Sequence, residues 1–401
     1  MSRLITATVI ACAALATAGT AAAQDSNFVP LAGPDGQAAT GWIFTPAVSV
    51  GSGWDDNILV RGQGDVAPAD VMSLVSPRGT VTYNSGRGQM AASYDGNFAL
   101  YREFDNLDSF DQRASFFGRR LIKKHVALFV RNSAASVPTT EIGQLVGVPF
   151  IRTGSRLENL STGVEAAFTK YTSAVISYDF EWVDFSHEVP GSEQLQGGHS
   201  HGFVADLKHL LNARLALTAR YDLQLATLRN AEDFTISNGG VGVEYRLYES
   251  TRVYASGGLA RLYVSGQSGT DRTGPAVRMG LTHTLHSASV DVYYSRSYVP
   301  SYGFGGTMQN RETTARLTLP AGRRVTTSAI VSWRQDDPLD LVQPSLRSVW
   351  VEGTVGYAAT RWVRVEGFFA GTHQNVDRPG GVLNRNRLGV QVVTAKPMRI
   401  R

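Results

Sequence analysis

Amphipathic segments of strand length recur along this chain to its last residues, joined alternately by tight turns and long polar loops. Leu215, Leu217, Ala219, Tyr221, Leu223 and Leu225 stand at every second position, with Thr218, Arg220, Asp222 and Gln224 between them. A period of two means an extended strand with two unlike faces. Val241, Val243, Tyr245 and Leu247 alternate in the same way with Glu244 and Arg246, as do Val349, Val351, Val355 and Tyr357 with Ser348, Glu352 and Thr354. Alternation alone fits two architectures. In a soluble sandwich the apolar face meets a second sheet. In a transmembrane barrel it meets lipid, and the polar face lines the lumen.

The connections separate these readings. Short turns fall at 84–89, 123–125, 170–173, 211–214, 248–251, 286–288, 320–323 and 358–361. Between them lie long loops near 61–70, 137–154, 188–198, 265–274, 300–309, 336–345 and 375–386, with briefer ones near Asp105 and Ala231. Short turns at one rim and long loops at the other are the pattern of bacterial outer-membrane barrels. Counting segments predicts an all-β, antiparallel up-and-down barrel of about 18 strands, with about 16 as the lower bound. Charge follows the same division. The turns carry Arg87, Lys123, Lys124, Lys170, Arg214, Arg252, Arg323 and Arg361 against Glu249. The loops hold Asp65, Asp70, Glu141, Glu188, Glu193, Asp233, Asp271, Asp336, Asp337, Asp340 and Asp377, diluted by Arg61, Arg152, Arg229 and Arg378. Basic turns suit anionic phospholipid on the periplasmic side. Acidic loops suit divalent cations bridging lipopolysaccharide. Solvated polar turns are the lesser alternative for the same residues.

The N-terminus reads as an export signal. Arg3 precedes the apolar run 4–18, and Ala21, Ala22 and Ala23 form an A-x-A cleavage site before Gln24. Residues 1–23 are therefore expected to be removed, 24–40 to form a flexible periplasmic segment, and 41–401 to form the barrel. Val9, Ile10 and Ala11 before Cys12 offer a lipoprotein alternative, weakened by the short apolar stretch ahead of that cysteine. Cys12 is the only cysteine, so the mature chain has no disulfide, thiolate or cysteine-zinc chemistry. No run long enough for a membrane helix follows the signal, and the mean hydropathy is −0.12. A barrel accommodates both facts, because half of each strand faces water. A net charge of +4 without a basic stripe does not point to nucleic acid.

If the apolar positions face lipid, their neighbours line the pore. The expected lining is Arg78, Asp95, Arg113, Arg131, Glu165, Asp179, Glu181, Asp206, Lys208, Arg220, Asp222, Glu244, Arg246, Arg278, Asp291, Arg316, Arg334, Glu352, Arg364, Glu366 and Arg387. Both signs occur, often two apart on one strand, as in Asp179 with Glu181 and Arg364 with Glu366. This spacing predicts ion pairing between strands for most of them, with a minority left for solute. Aromatic residues cluster near strand ends, among them Trp42, Tyr83, Phe98, Tyr101, Phe180, Trp182, Tyr245, Trp333 and Tyr357, where interface girdles require them.

Catalytic signatures are sparse. Asp179 with Glu181, or Asp336 with Asp337, has the composition of a glycosidase pair, but carboxylates are ordinary on a polar strand face. His199 and His201 share one side of a strand entrance and read as a solvated pair, since a metal needs further ligands. There is no Gly-x-Ser-x-Gly elbow and no zinc-protease helix. Asp55, Asp56 and Asn57 have the oxygen ligands calcium takes, but the local backbone bonding of Asp and Asn that ends a strand in a turn is the favoured reading.

The segment Pro46 to Gly51 followed by Trp54, Asp55, Asp56, Asn57 and Ile58 resembles the first strand of a family of porin-like outer-membrane β-barrels, in which an Asp-Asn-Ile motif closes that strand. Ser76, Pro77 and Tyr83, and the stretch from Tyr94 to Tyr101, resemble the strands that follow. The resemblance spans nearly the whole mature chain. It implies passage of hydrophilic solute or glycan through the outer membrane, with a link to exopolysaccharide export, and supplies no catalytic residues. Barrels inserted by the outer-membrane assembly machinery usually end in an aromatic residue, whereas this sequence ends Pro397, Met398, Arg399, Ile400 and Arg401, so the assembly signal is expected to be atypical or internal.

The expectation is thus a Gram-negative outer-membrane conduit with no cofactor. Its partners would be outer-membrane lipid, lipopolysaccharide and the barrel assembly machinery, with polysaccharide or periplasmic export components as further candidates. An outer-membrane enzyme with a rim active site is one alternative. A soluble periplasmic or secreted β-protein such as a propeller is another, although a propeller requires a repeat of about forty residues that is absent here.

Overall fold

The computed structural model describes residues 40–62, 66–141, 147–148, 151–186, 195–229, 232–265, 271–285, 288–339, 343–377 and 381–400. The expected export signal over 1–23, all of the expected periplasmic segment but residue 40, and the loop or turn residues Asp65, Glu188, Glu193, His286, Asp340 and Arg378 lie outside the described residues.

The strands follow one another as β1 (Gly41–Asp55), β2 (Asp70–Asn84), β3 (Gly88–Tyr101), β4 (Ser109–Lys123), β5 (Val126–Pro138), β6 (Gly154–Ala167), β7 (Thr172–Phe185), β8 (Gly198–Leu210) and β9 (Leu215–Leu228). The second half continues with β10 (Phe234–Tyr248), β11 (Thr251–Val264), β12 (Arg272–Leu285), β13 (Ala288–Pro300), β14 (Thr307–Ala321), β15 (Val325–Pro338), β16 (Leu346–Ala358), β17 (Val363–Val376) and β18 (Val382–Ala395). Each strand pairs antiparallel with its chain neighbours. β18 returns to β1, with Ala395 opposite Ala47 and Arg387 opposite Asp55, so the sheet closes as an 18-strand barrel. A short β19 (Met398–Ile400) extends the seam against Trp42, Ile43 and Phe44. The expected turns all lie at one end and the long loops at the other, because an up-and-down chain alternates ends at every connection. Both ends of the described chain are at the turn end.

The two faces of the wall are chemically opposite. In β1, Val48, Val50 and Trp54 are exposed, while Ser49 and Asp55, of the opposite parity, are 1% and 0% exposed. Following the register around the barrel carries this parity to every strand. The outer face presents Leu128, Ile176, Phe203, Tyr221, Val241, Leu259, Val331, Val355 and Val390, with Ile176 at 63% and Val241 at 70% exposure. A water-soluble monomer does not tolerate a continuous apolar girdle of this kind.

The inner face is not a uniform pore. Its loop end is packed by an apolar cluster in which Val183, Phe185, Leu228, Phe234, Ile236, Leu262 and Tyr298 from the wall enclose Val148, Leu195 and Tyr302 from three different loops. Towards the turn end the wall hollows out between β8 and β12, where Gly240 and Gly258 leave no side chain on the inner face. A Cβ at Gly258 would collide with the Gly239 carbonyl of the paired strand, so the two strands approach as closely as they do only because glycine is there.

Candidate functional site

The wall residues singled out from the sequence all occupy inner-register positions, and many are joined by ion pairs. Arg78 meets Asp95 at 3.1 Å, Lys208 meets Glu244 at 2.6 Å, and Arg220 meets Asp206 at 2.9 Å. Arg220 and Arg278 share Asp222 at 3.7 Å each, and Arg364 holds Glu366 on its own strand. Glu165 pairs with Arg119 at 2.8 Å and Arg334 with Glu312 at 3.7 Å, through partners the sequence reading left out. Arg131 lies over the Phe129 ring at 4.9 Å. Arg246, Asp291, Arg316 and Glu352 keep the inner register. Several of these groups, with Tyr254 and the glycine hollow, border a recess that is open to solvent.

Other residues are placed differently from expectation. Among the described residues, neither Asp179 nor Glu181 forms an ion pair across the wall. The Ser177 hydroxyl donates to Asp179 at 3.3 Å, and the Tyr302 hydroxyl to Glu181 at 3.0 Å. Asp336 and Asp337 cannot flank one sugar, because consecutive strand residues project to opposite faces. Asp336 faces inward and accepts from Asn310, whereas Asp337 faces outward against Arg311. His199 and His201 belong to β8 itself, opposite Trp182 and Phe180 on the outer face, rather than to a solvated loop. The His201 ring lies 5.3 Å from that of Phe180, and its Nδ1 is 2.8 Å from the Tyr178 hydroxyl. The Asp55 carboxylate is taken by Arg385. Its Oδ1 also accepts from the Asn57 backbone at 3.1 Å, which is the strand-ending role weighed against calcium.

The centre of the site is the loop between β5 and β6, which turns into the barrel. Its neck is closed by the Thr139 backbone N–H donating to the Thr153 carbonyl at 2.8 Å and by the Thr139 hydroxyl donating to Ile151. From there a single turn of 3-10 helix (Thr139–Glu141) delivers Glu141 to the far side of the closing seam. Arg387 donates to Glu141 at 2.6 Å, Arg385 stands 3.5 Å away, and Arg113 reaches its carbonyl oxygen at 3.5 Å. Further along, the Gly147 N–H donates to Asp336 at 3.3 Å and Gln374 donates to the Val148 carbonyl at 3.4 Å. On the return, Arg152 donates to the Tyr101 hydroxyl at 3.0 Å and the Leu107 carbonyl at 2.9 Å. The loop is therefore tied to β18, β15, β17 and β3, which lie on several sides of the lumen.

Burial by itself would raise the Glu141 carboxyl, but Arg387 and then Arg385 outweigh it and hold the pKa down at about 2. The loop between β13 and β14 supplies the second brace. Its Tyr302 hydroxyl lies within 3.3 Å of Ser200 as well as against Glu181, and burial with that carboxylate raises it well above the ordinary tyrosine range. A third loop joins it where the Gln196 N–H donates to the Gly303 carbonyl at 3.0 Å. The arrangement places a charged, solvent-open vestibule at the turn end behind a constriction of folded loops at the other.

Of the residues missed from the sequence, Arg119, Glu312 and Arg385 were accessible by extending the strand alternation. Glu141, Arg152 and Tyr302 were not, because nothing local in a loop says which way it folds.

No protein-family model matches the chain, and no curated protein matches it in sequence. Among solved structures it is similar to OccAB4 of Acinetobacter baumannii, at 9% identity over 91% of this chain and 100% of that one, with a TM-score of 0.45. It is also similar to OpdQ of Pseudomonas aeruginosa, at 9% identity over 89% of this chain and 98% of that one, TM-score 0.45. The siderophore receptor PirA of Pseudomonas aeruginosa has 9% identity over 89% of this chain and 80% of that one, TM-score 0.45. By its own strand register, closed from β1 to β18, the chain is an antiparallel porin-like β-barrel.

Proposed function

We propose that the protein resides in the outer membrane of a Gram-negative bacterium, after removal of its export signal, and conducts small hydrophilic solutes across it. The observation that supports this most is the pairing of an apolar outer face with a charged inner face around a closed wall, since lipid and water are the only surroundings that match the two. Solute would enter between the loops, pass the Glu141 loop, and cross a wall of alternating charges that sets selectivity. The outer girdle carries a direct expectation. Arginine in place of Ile176 should destabilise the barrel in phospholipid vesicles by about 2–4 kcal/mol, read as a lowered urea midpoint.

The function is tested by single-channel recording of the refolded protein in a planar bilayer, with heat-modifiable gel mobility as proof of folding. Stable ion-conducting steps support the reading. A folded, inserted barrel that never conducts would remove the passive channel and leave the second reading, favoured by the packed loop end: a conduit opened by a partner, with polysaccharide export as the finer version.

A further inference from the structure

The outer face carries two imidazoles side by side at the loop end of β8. His199 and His201 are two residues apart on one strand, so they project to the same side from Cα atoms about 7 Å apart. Their rings close that gap to 5.4 Å between centres, inclined at 82°. Two imidazoles bound through nitrogen to one tetrahedral ion, at metal to nitrogen distances of about 2.0–2.1 Å, hold their ring centres about 5 Å apart. The pair already stands near the spacing that a single ion requires.

The contacts of the two rings fit ligands better than packing. The Tyr178 hydroxyl lies 2.8 Å from Nδ1 of His201. With the proton on Nδ1 donated to that oxygen, Nε2 is left with its lone pair for coordination, and the ring is held in place, as outer groups do for metal-bound histidines. His199 lies with its ring 6.5 Å from Phe180, and no hydrogen bond holds either of its nitrogens among the described residues. An aromatic girdle is served by Trp and Tyr, which carry one polar tip each. Four ring nitrogens in one place, of which Tyr178 takes one, exceed that role. The level is accessible as well. Trp182, opposite His199, is itself opposite Glu158, and Asp184 beyond it pairs with Arg229 at 2.9 Å. These outward charges mark where the apolar face gives way to water, and both histidines are only half-buried.

We propose that His199 and His201 form a two-histidine site for a divalent transition-metal ion of the copper or zinc type. Among the described residues no third His, Cys, Asp or Glu joins them, so the remaining positions are held by water or by a donor atom of an incoming molecule. Imidazole suits these ions, whereas Mg²⁺ and Ca²⁺ require oxygen ligands. The site needs the closed barrel and not conduction, so its test is separate from that of the channel reading.

That test is isothermal titration calorimetry of the untagged, refolded barrel in detergent with Cu²⁺, Zn²⁺ and Mg²⁺, heat-modifiable gel mobility showing that each variant is folded. The wild type should bind one copper or zinc ion per barrel, copper more tightly, and no magnesium. Y178F, which keeps both ligands and removes the group that positions His201, should lose about tenfold in affinity. H199N and H201N should each lose more than that. H373N, which removes another outward histidine, bonded to Asn384 at 2.6 Å, should bind as the wild type does. Electron paramagnetic resonance of the copper-loaded wild type should show splitting from two nitrogens, and from one in either single variant. No uptake by the folded wild type, unchanged uptake in folded H199N and H201N, or equal loss in H373N would each overturn the site. Wild-type affinity in Y178F would overturn the positioning role of Tyr178.

Discussion

Replacing Glu141 with alanine is expected to convert the barrel to a more open state, seen as larger and more frequent conductance steps. Glu141 is the point at which the inward-folded loop is held to the closing seam, by Arg387 at 2.6 Å and Arg385 at 3.5 Å. Removing the carboxylate leaves the Arg387 guanidinium without its partner in a largely enclosed place, a situation that costs about 3–5 kcal/mol. The loop relieves that cost by leaving the lumen, where Arg387 can then be hydrated. Even about 3 kcal/mol shifts the balance between inward and outward loop by about a hundredfold. Glu141→Gln, which keeps the shape and one hydrogen bond, should fall between the two. Unchanged conductance in both variants would show that the loop does not gate.

The same latch predicts a pH dependence of definite sign. The folded carboxyl has a pKa of about 2 against a usual value of 4.5, which corresponds to about 3 kcal/mol favouring the latched loop when it is ionised. A depressed pKa contributes stability that is present above the unfolded value and lost as pH falls through the folded one. The loop should therefore stay latched from neutral pH down to about 5, weaken below that, and release towards pH 2, with conductance rising across the window. In the alanine variant the rise should be absent, which separates Glu141 from other acid-sensitive groups.

Arg385→Met is expected to weaken the barrel itself. Asp55 is 0% exposed, and Arg385 grips it through Nε at 3.0 Å and Nη2 at 2.6 Å, joining the first strand to the last. Deleting only the cation strands a buried carboxylate at the seam and should cost about 3–5 kcal/mol, read as a lower denaturant midpoint or a lower temperature of heat modification. The double variant Asp55→Asn with Arg385→Met removes the stranded charge and should recover much of the loss. If the single variant is no worse than the double, the pair is not what holds the seam.

What the sequence determined by itself was the wall. A strand's side-chain period of two is local, so residues such as Leu217, Val241 and Val351 declare the outer face, while Arg220, Glu244 and Glu352 between them declare the inner one. Turn lengths are equally local, and alternating short and long connections sorted the ends of the barrel before any pairing was known. Even so, partners were not legible: Glu181 was read as one of a pair across the wall, and its actual donor is Tyr302 from a loop 121 residues away. Only the tertiary structure decided what fills the wall. Glu141 reads as one more solvated loop acid until closure brings Arg387, 246 residues later, within 2.6 Å of it. Asp55 reads as a turn former until the last strand returns Arg385 to it across 330 residues. Loop direction and buried charge pairs depend on which distant groups the closed barrel sets side by side, and a charge shows its cost or value only once its partner and its solvent exposure are settled together.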